Sequence, residues 1–316
     1  NISMKSNAEI KALITKDIPE EESACFALLY AMVMSAFSIV IKSGSRLGLL
    51  YETNRGVCAS FAFKLIKKVF AFSPEIVKIK KTDFGNASFL YSLSVDESEV
   101  TMEMLHSFNM LDPSGFKGSE GIDMSLLSTQ ESKSAFVKGV FIACGYLHNP
   151  VKNYCIEFRF QNERNAVSFA EYLNSEFSIN AKTRELGNAI IVYVKRQEDV
   201  SAVLTICGAY TAALEFEDRC AMAQMKNVTQ RKVNCETANL NKTLDAAYNQ
   251  VKAIEKIINS RGIASLSAPL QEAALLRIDN EEMSLKELSE LSGISRSTLD
   301  KRLRKIIEIA EESYRK

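Results

Sequence analysis

The side chains best equipped for chemistry in this 316-residue sequence lie near its end, where SRSTLDKRLRK runs from Ser295 to Lys305. Arg296, Ser297 and Thr298 carry the donors and acceptors that can read base edges in a DNA groove, while Lys301, Arg302, Arg304 and Lys305 form a cationic flank suited to phosphates. Asp300 is the only acid among them. A second polar run, RKVNCETANLNKT from Arg231, sets Asn234 and Asn241 near Lys242, giving amides and a charge that suit phosphates or a neighbouring domain. Metal chemistry has less to work with. Two histidines and seven cysteines without a C-x-x-C pair argue against a zinc site, and the odd cysteine count argues against a disulfide framework.

Each cluster needs elements to hold it. In SLKELSELSGISRSTLDKRLRK, Ser284 with Glu287 three residues on forms a capping box, and Leu285, Leu288 and Leu291 mark one short helical face. Gly293 breaks that helix and Ser295 caps the next, whose inward face is Leu299, Leu303 and Ile306 or Ile307. With Ile294 between the two helices and a preceding helix over Leu270 to Asp279 as a third wall, this is the helix-turn-helix pattern. It puts Arg296, Ser297 and Thr298 in the first turns of the second helix. Further upstream, Leu244, Ala247, Val251, Ile254 and Ile258 predict an amphipathic helix ending at Asn259 to Gly262. The polar run reads as the beginning of that helix near Asn234, with Asn234, Ala238, Asn241 and Asp245 on one face.

Charge supports this placement. Basic and acidic residues number 39 each, so the whole chain exerts no pull on nucleic acid, yet residues 226–316 carry a net +3 and the first 225 a net −3. At 47% hydrophobic the chain is too apolar to be disordered and long enough for two or three domains. Ala24 to Ile41 is uncharged and at the lower limit of a membrane span. Its β-branched, serine-containing end at Ser38 to Ile41, and a second version of the segment that carries a lysine, predict a core helix followed by a strand. Glu20, Glu21 and Glu22 stand where a secretory signal would be basic, so a cytoplasmic location and no membrane partner are expected.

The second version belongs to an internal duplication. GNASFLYSLS at Gly85 to Ser94 matches GNAIIVYVKR at Gly187 to Arg196, and Asn54, Ser60, Phe61, Ala62 and Leu65 find counterparts in Asn162, Ser168, Phe169, Ala170 and Leu173. One template fits both halves. An apolar helix (Ser23 to Phe37; Lys133 to Tyr146) leads into two strands (Ser38 to Ile41 and Leu49 to Thr53; Leu147 to Val151 and Tyr154 to Gln161). An amphipathic helix, two more strands and a closing helix (Ser98 to Phe108; Glu198 to Leu214) complete αββαββα in each copy. Met110 to Gln130, with Pro113, Gly115, Gly118 and Gly121, reads as the linker.

This duplicated topology resembles the LAGLIDADG homing endonucleases, in which the first helices of the copies pack together and a carboxylate at each foot binds a catalytic metal. VKGVFIACG, Val137 to Gly145, lies over the family's nine-residue motif with Gly139 and Gly145 on its glycines, which let two helices approach closely. The first copy offers LYAMVMSA, with Ala31 and Ala36 as small residues and the bulkier Tyr30 and Met34 among them. At the two metal positions stand Ser35 and Cys144, where Mg²⁺ would need carboxylates. The resemblance implies the scaffold and the residues withhold the chemistry. No catalytic residue, metal or cofactor is expected.

VNCETANLNKT, followed by a helix, a short linker and SLKELSELSGISRSTLDKRLRKI, closely resembles the WhiA family, bacterial sporulation and cell-division regulators. Its members join a degenerate LAGLIDADG domain to a helix-turn-helix domain resembling the promoter-recognising region of sigma factors. The resemblance covers essentially the whole chain. It implies an α+β fold, a duplicated αββαββα LAGLIDADG-like domain over 1–225 (repeats about 22–109 and 131–218), a connecting helix over 226–264 and an all-α helix-turn-helix domain over 265–316. It also implies a nonenzymatic, sequence-specific regulator of division or sporulation genes, nucleoid-associated, with double-stranded promoter DNA as partner. A competing reading makes the duplicated domain a dock for another transcription regulator or RNA polymerase, with the basic helix adding only nonspecific affinity.

Overall fold

Alternation of apolar and polar residues in short runs, and apolar stripes at helical spacing between them, dictate where strands and helices form. A computed structural model of the chain describes residues 5–42, 46–83, 86–112, 115–116, 121–148 and 154–312. Gly85, Pro113, Gly118 and the 149–151 end of an expected strand lie outside the described residues. The chain divides into two units, Asn1–Ala223 and Gln224–Lys316.

After a short helix α1 (Asn7–Ile14), the first unit runs α2 (Glu22–Ala36), β1 (Phe37–Lys42), β2 (Arg46–Thr53), α3 (Gly56–Phe70), β3 (Glu75–Asp83), β4 (Asn86–Val95) and α4 (Ser98–Ser107). A small ribbon follows, β5 (Leu111–Asp112) with β6 (Gly115–Phe116). The second copy is α5 (Gln130–Cys144), β7 (Gly145–Leu147), β8 (Ile156–Phe160), α6 (Glu163–Phe177), β9 (Ala181–Leu186), β10 (Ala189–Val194) and α7 (Gln197–Ile206). The duplicated αββαββα plan is therefore present. Each copy holds a four-stranded antiparallel sheet of the same order, β1-β2-β4-β3 and β7-β8-β10-β9. Register explains which face is inward: Leu49 lies across from Val95 and Tyr51 from Leu93, all buried, while the intervening Leu50 and Ser94 form the outer face.

The uncharged segment of the first copy is α2 plus β1. Every residue from Ala27 to Ser35 is buried, as a helix apolar on all sides requires. Among the described residues no helix is long and apolar enough to cross a membrane. α2 packs on α5, and Gly139 makes the approach possible: a Cβ there would stand 2.6 Å from the Leu28 carbonyl oxygen and 2.7 Å from the Ala31 Cβ. Gly145 has a different reason to be small. An added Cβ would meet Cα, Cδ2 and the carbonyl oxygen of Phe141 in its own chain segment, so Gly145 serves the turn from helix to strand and not the helix pair. Tyr30 does not hold the helices apart. Its ring packs with Phe108 and Phe136, and its hydroxyl accepts from the Asp123 N–H at 2.9 Å.

Three expected helix boundaries need correction. The second copy's closing helix is not continuous over Glu198 to Leu214: α7 stops at Ile206, and Gly208 at φ 77° turns the chain before the next helix begins at Tyr210. The helix expected to begin near Asn234 begins at that same Tyr210, as α8 (Tyr210–Arg261), whose early residues Ala212, Ala213 and Phe216 are buried in the first unit. The polar run thus lies in a helix interior. Its side chains find partners one turn away: Thr243 Oγ1 donates to the Asn239 carbonyl at 3.0 Å and Gln230 Nε2 to Asn234 Oδ1 at 2.9 Å. Finally, α5 ends at Cys144, and Tyr146 is in the following strand.

The second unit adds α9 (Ala268–Ile278), α10 (Leu285–Ser292) and α11 (Arg296–Glu312) to the later turns of α8. Its core is Ile254, Ile257, Ala274, Leu288, Leu299, Leu303 and Ile306. Leu291, expected on the inward face, is exposed: at helical pitch, six residues on from Leu285, it has rotated about 120° away from that residue's face.

Burial in the first unit has a consequence for pH. It pushes the thiols of Cys144 and Cys207 and the phenol of Tyr30 up to about 12, and raises Cys58, Cys155, Cys220, Tyr51 and Tyr172 as well. These acids keep their protons longer folded than unfolded. The stability they contribute is complete below the ordinary thiol and phenol values of 9.0 and 10.0 and is lost as pH rises toward the folded values. Lys11 and Lys138, pulled down by burial, act in the opposite sense but are fewer. Melting temperature should fall steadily from about pH 9 upward. A flat profile to about pH 11 would show that these thiols and phenols are solvated.

Candidate nucleic-acid interface

Two local signals build the head of this interface. Ser284 Oγ accepts from the Glu287 N–H and the Glu287 carboxylate accepts from the Ser284 N–H at 2.7 Å, so the capping box starts α10. Gly293, at φ 71°, closes it in the left-handed conformation that favours glycine. Ser295 Oγ then accepts from the Thr298 N–H at 3.2 Å and lies 2.8 Å from the Thr298 hydroxyl, which starts α11. Leu299, Leu303, Ile306 and Ala310 point inward and fix the roll of α11.

That roll leaves Arg296, Ser297, Lys301, Arg304 and Lys305 exposed, with Thr298 and Arg302 half-buried. Their freedom differs. Among the described residues no carboxylate lies within 4.0 Å of Arg296 or Lys301, whereas Arg304 pairs with Asp300 at 3.0 Å and Lys305 with Glu308 at 2.8 Å. Such exposed pairs are worth about 0–1 kcal/mol and yield readily to a phosphate. Arg302 is tied across to Glu272 of α9 at 2.8 Å, a contact that also braces α11. Asn234, Asn241 and Lys242 are all exposed on α8. Lys242 and Arg296 line one cavity of about 270 Å³ in the second unit. Asn234 and Asn241 are not among its walls. Gln250, Arg277 and Lys286 are, and no sequence signal marks them, since Arg277 and Gln250 sit in helical patterns where a polar residue reads as solvated.

The former metal positions are built differently from a metal site. Ser35 Oγ donates to the Ala31 carbonyl at 2.7 Å and Cys144 Sγ to the Val140 carbonyl at 3.4 Å, each tied back to its own helix. The buried Lys11 ammonium donates to the Ile142 carbonyl at 2.9 Å, in the last turn of α5, where the helix dipole favours a cation. Enclosure of its thiol keeps Cys144 protonated at neutral pH. A hydroxyl, a protonated thiol and an ammonium do not fit a divalent cation, which takes anionic oxygen ligands. Among the described residues no group of three or more His, Cys, Asp or Glu side chains could hold a metal ion.

The profile of the WhiA LAGLIDADG-like domain matches residues 133–226, and that of the WhiA C-terminal HTH domain matches residues 229–310. A probable cell division protein WhiA from Thermoanaerobacter sp. (strain X514) is 32% identical over 313 residues, 98% of each chain. One from Clostridium perfringens (strain SM101 / Type A) is 34% identical over the same length, again 98% of each chain. A crystal structure of full-length WhiA from Thermatoga maritima is 22% identical and superposes with a TM-score of 0.55, covering 98% of this chain and 99% of that one, which establishes a shared fold.

Proposed function

The chain belongs to the WhiA family, and we propose that it is a sequence-specific DNA-binding transcription regulator of cell-division or sporulation genes that acts at promoter sites without nuclease activity. The observation that carries this reading is the exposed first turn of α11, held by α9 and α10 in a helix-turn-helix arrangement. In this reading Arg296, Ser297 and Thr298 meet base edges, and Lys301, Arg302, Arg304 and Lys305 meet backbone phosphates. Asn234, Asn241 and Lys242 touch DNA beside them. The relatives' designation as cell division proteins supports the choice of target genes, and a nucleoid location in the cytoplasm is part of the same proposal, since promoter binding requires it.

Selection from a random duplex pool by the full chain tests the reading. A shared motif should emerge in the bound fraction, and a recovered set without one would contradict it. The absence of catalysis is tested on the same enriched duplexes. With Mg²⁺ or Mn²⁺ the protein should not nick them; metal-dependent nicking that disappears on mutating Glu22 or Glu131 would overturn this part. A second reading, docking of another regulator or RNA polymerase on the duplicated domain, draws support from the outer face of the first sheet. There Val40, Leu50, Val77, Ile79 and Leu90 interleave with Ser38, Ser92 and Ser94, a surface better matched to protein than to phosphates.

A further inference from the structure

The cavity that Lys242 and Arg296 share is walled by four helices of the second unit, with Thr243, Gln250, Arg277, Ser284 and Lys286 as its other polar lining. Lys242 and Gln250 come from α8, Arg277 from α9, Lys286 from α10 with its cap Ser284, and Arg296 from the first position of α11. Four of these side chains are cationic, and among the described residues no carboxylate lines the cavity. Lys242 and Arg296 have no carboxylate within 4.0 Å among the described residues, and Lys286 has only the exposed Glu290 at 3.8 Å.

Two of the walls are sealed from solvent with polar atoms unmatched. Arg277 is 1% exposed; its Nη1 donates to the carbonyls of Asn280 and Met283, and among the described residues its Nε–H has no acceptor. Gln250 is 6% exposed and, among the described residues, its Oε1 has no donor. The N-terminus of α10 is not itself the seat, because the Glu287 carboxylate already serves the Ser284 N–H. Side chains supply the charge.

We propose that this cavity seats one backbone phosphate of bound DNA, held between Lys242 and Lys286 with Arg296 at its side. The proposal rests on the DNA-binding reading above. Cations converging from three helices match the several oxygens of a phosphodiester, and an arginine fork adds the bidentate geometry that phosphate favours. A free phosphate shares this chemistry. The DNA backbone is the better match because Arg296 is also the first residue of the reading helix, so an anion held here lies against the element that meets the bases. Seating it would fix the register of α11 on the duplex from α8.

The test uses the full chain and an enriched duplex in which each phosphate in turn is replaced by an uncharged methylphosphonate. At one position per bound protein the replacement should weaken the wild-type protein about tenfold or more, and leave a Lys242→Ala/Lys286→Ala variant unaffected. That variant, whose thermal melt should match wild type because both lysines are exposed, should also show a salt slope lower by roughly one unit. Equal sensitivity of wild type and variant at every position would overturn the proposal while leaving the DNA reading intact. If inorganic phosphate raises the melting temperature of the wild type but not of the variant, and no methylphosphonate separates the two proteins, the cavity takes a free anion and the DNA assignment falls. A wild-type protein that prefers no duplex to any other would overturn both.

Discussion

Arg296→Ala should bind the enriched site about 1–3 kcal/mol more weakly than wild type, roughly five- to 150-fold, while losing much less on a scrambled duplex. The expectation follows from position and freedom. Arg296 opens α11, is exposed and has no carboxylate within 4.0 Å among the described residues, so its guanidinium is available to a base edge. It also borders the proposed phosphate seat, so some loss on any sequence is expected, and the excess on the enriched site measures base reading. Lys305→Ala should behave otherwise, lowering affinity for both duplexes alike and reducing the salt slope by about one unit. Equal losses on both duplexes for Arg296→Ala would assign that residue to the backbone. Base reading would then move elsewhere, with the Asn234 to Lys242 segment the next candidate.

Gly139→Leu should destabilise the first unit by about 1–3 kcal/mol or more through overpacking. The neighbours that a side chain meets there are the backbone of Leu28 and the Cβ of Ala31, which cannot rotate aside, and the substitution must push α2 and α5 apart. In a domain of this size each kcal/mol lowers the melting temperature by roughly 2–4 °C. An unchanged melting temperature would show that the two helices do not touch at this position. Gly145→Leu would strain the turn into β7 instead, against Phe141 of its own helix.

Much of this architecture was legible because its signals are local. The repeated Gly-Asn-Ala followed by an apolar strand is visible without any tertiary contact, and so are Ser284, Gly293 and Ser295 at the ends of α10 and α11. The length of α8 was not. Asn and Thr side chains favour caps when read alone, but Asn234 and Thr243 of the Arg231 run bond to atoms one turn away, and nothing in composition distinguishes the two situations. Contacts made over long sequence separations were equally silent. Lys11 of α1 reaches the Ile142 carbonyl in the second copy, Arg302 is held by Glu272, and the walls of the phosphate seat come from four helices. Sequence could list the cations of the reading head but could not say which of them were already paired.

If the second unit reads sequence and does not merely attract phosphate, its preference must survive salt. The decisive measurement is the ratio of dissociation constants on scrambled and enriched duplexes, followed for the wild-type chain as salt rises from about 50 to 500 mM. Both affinities should fall along nearly parallel lines while the ratio stays at about 10³ or above. A ratio that declines toward one as salt rises would mean that the basic helix supplies only nonspecific attraction and that specificity, if the protein has any, comes from a docked partner.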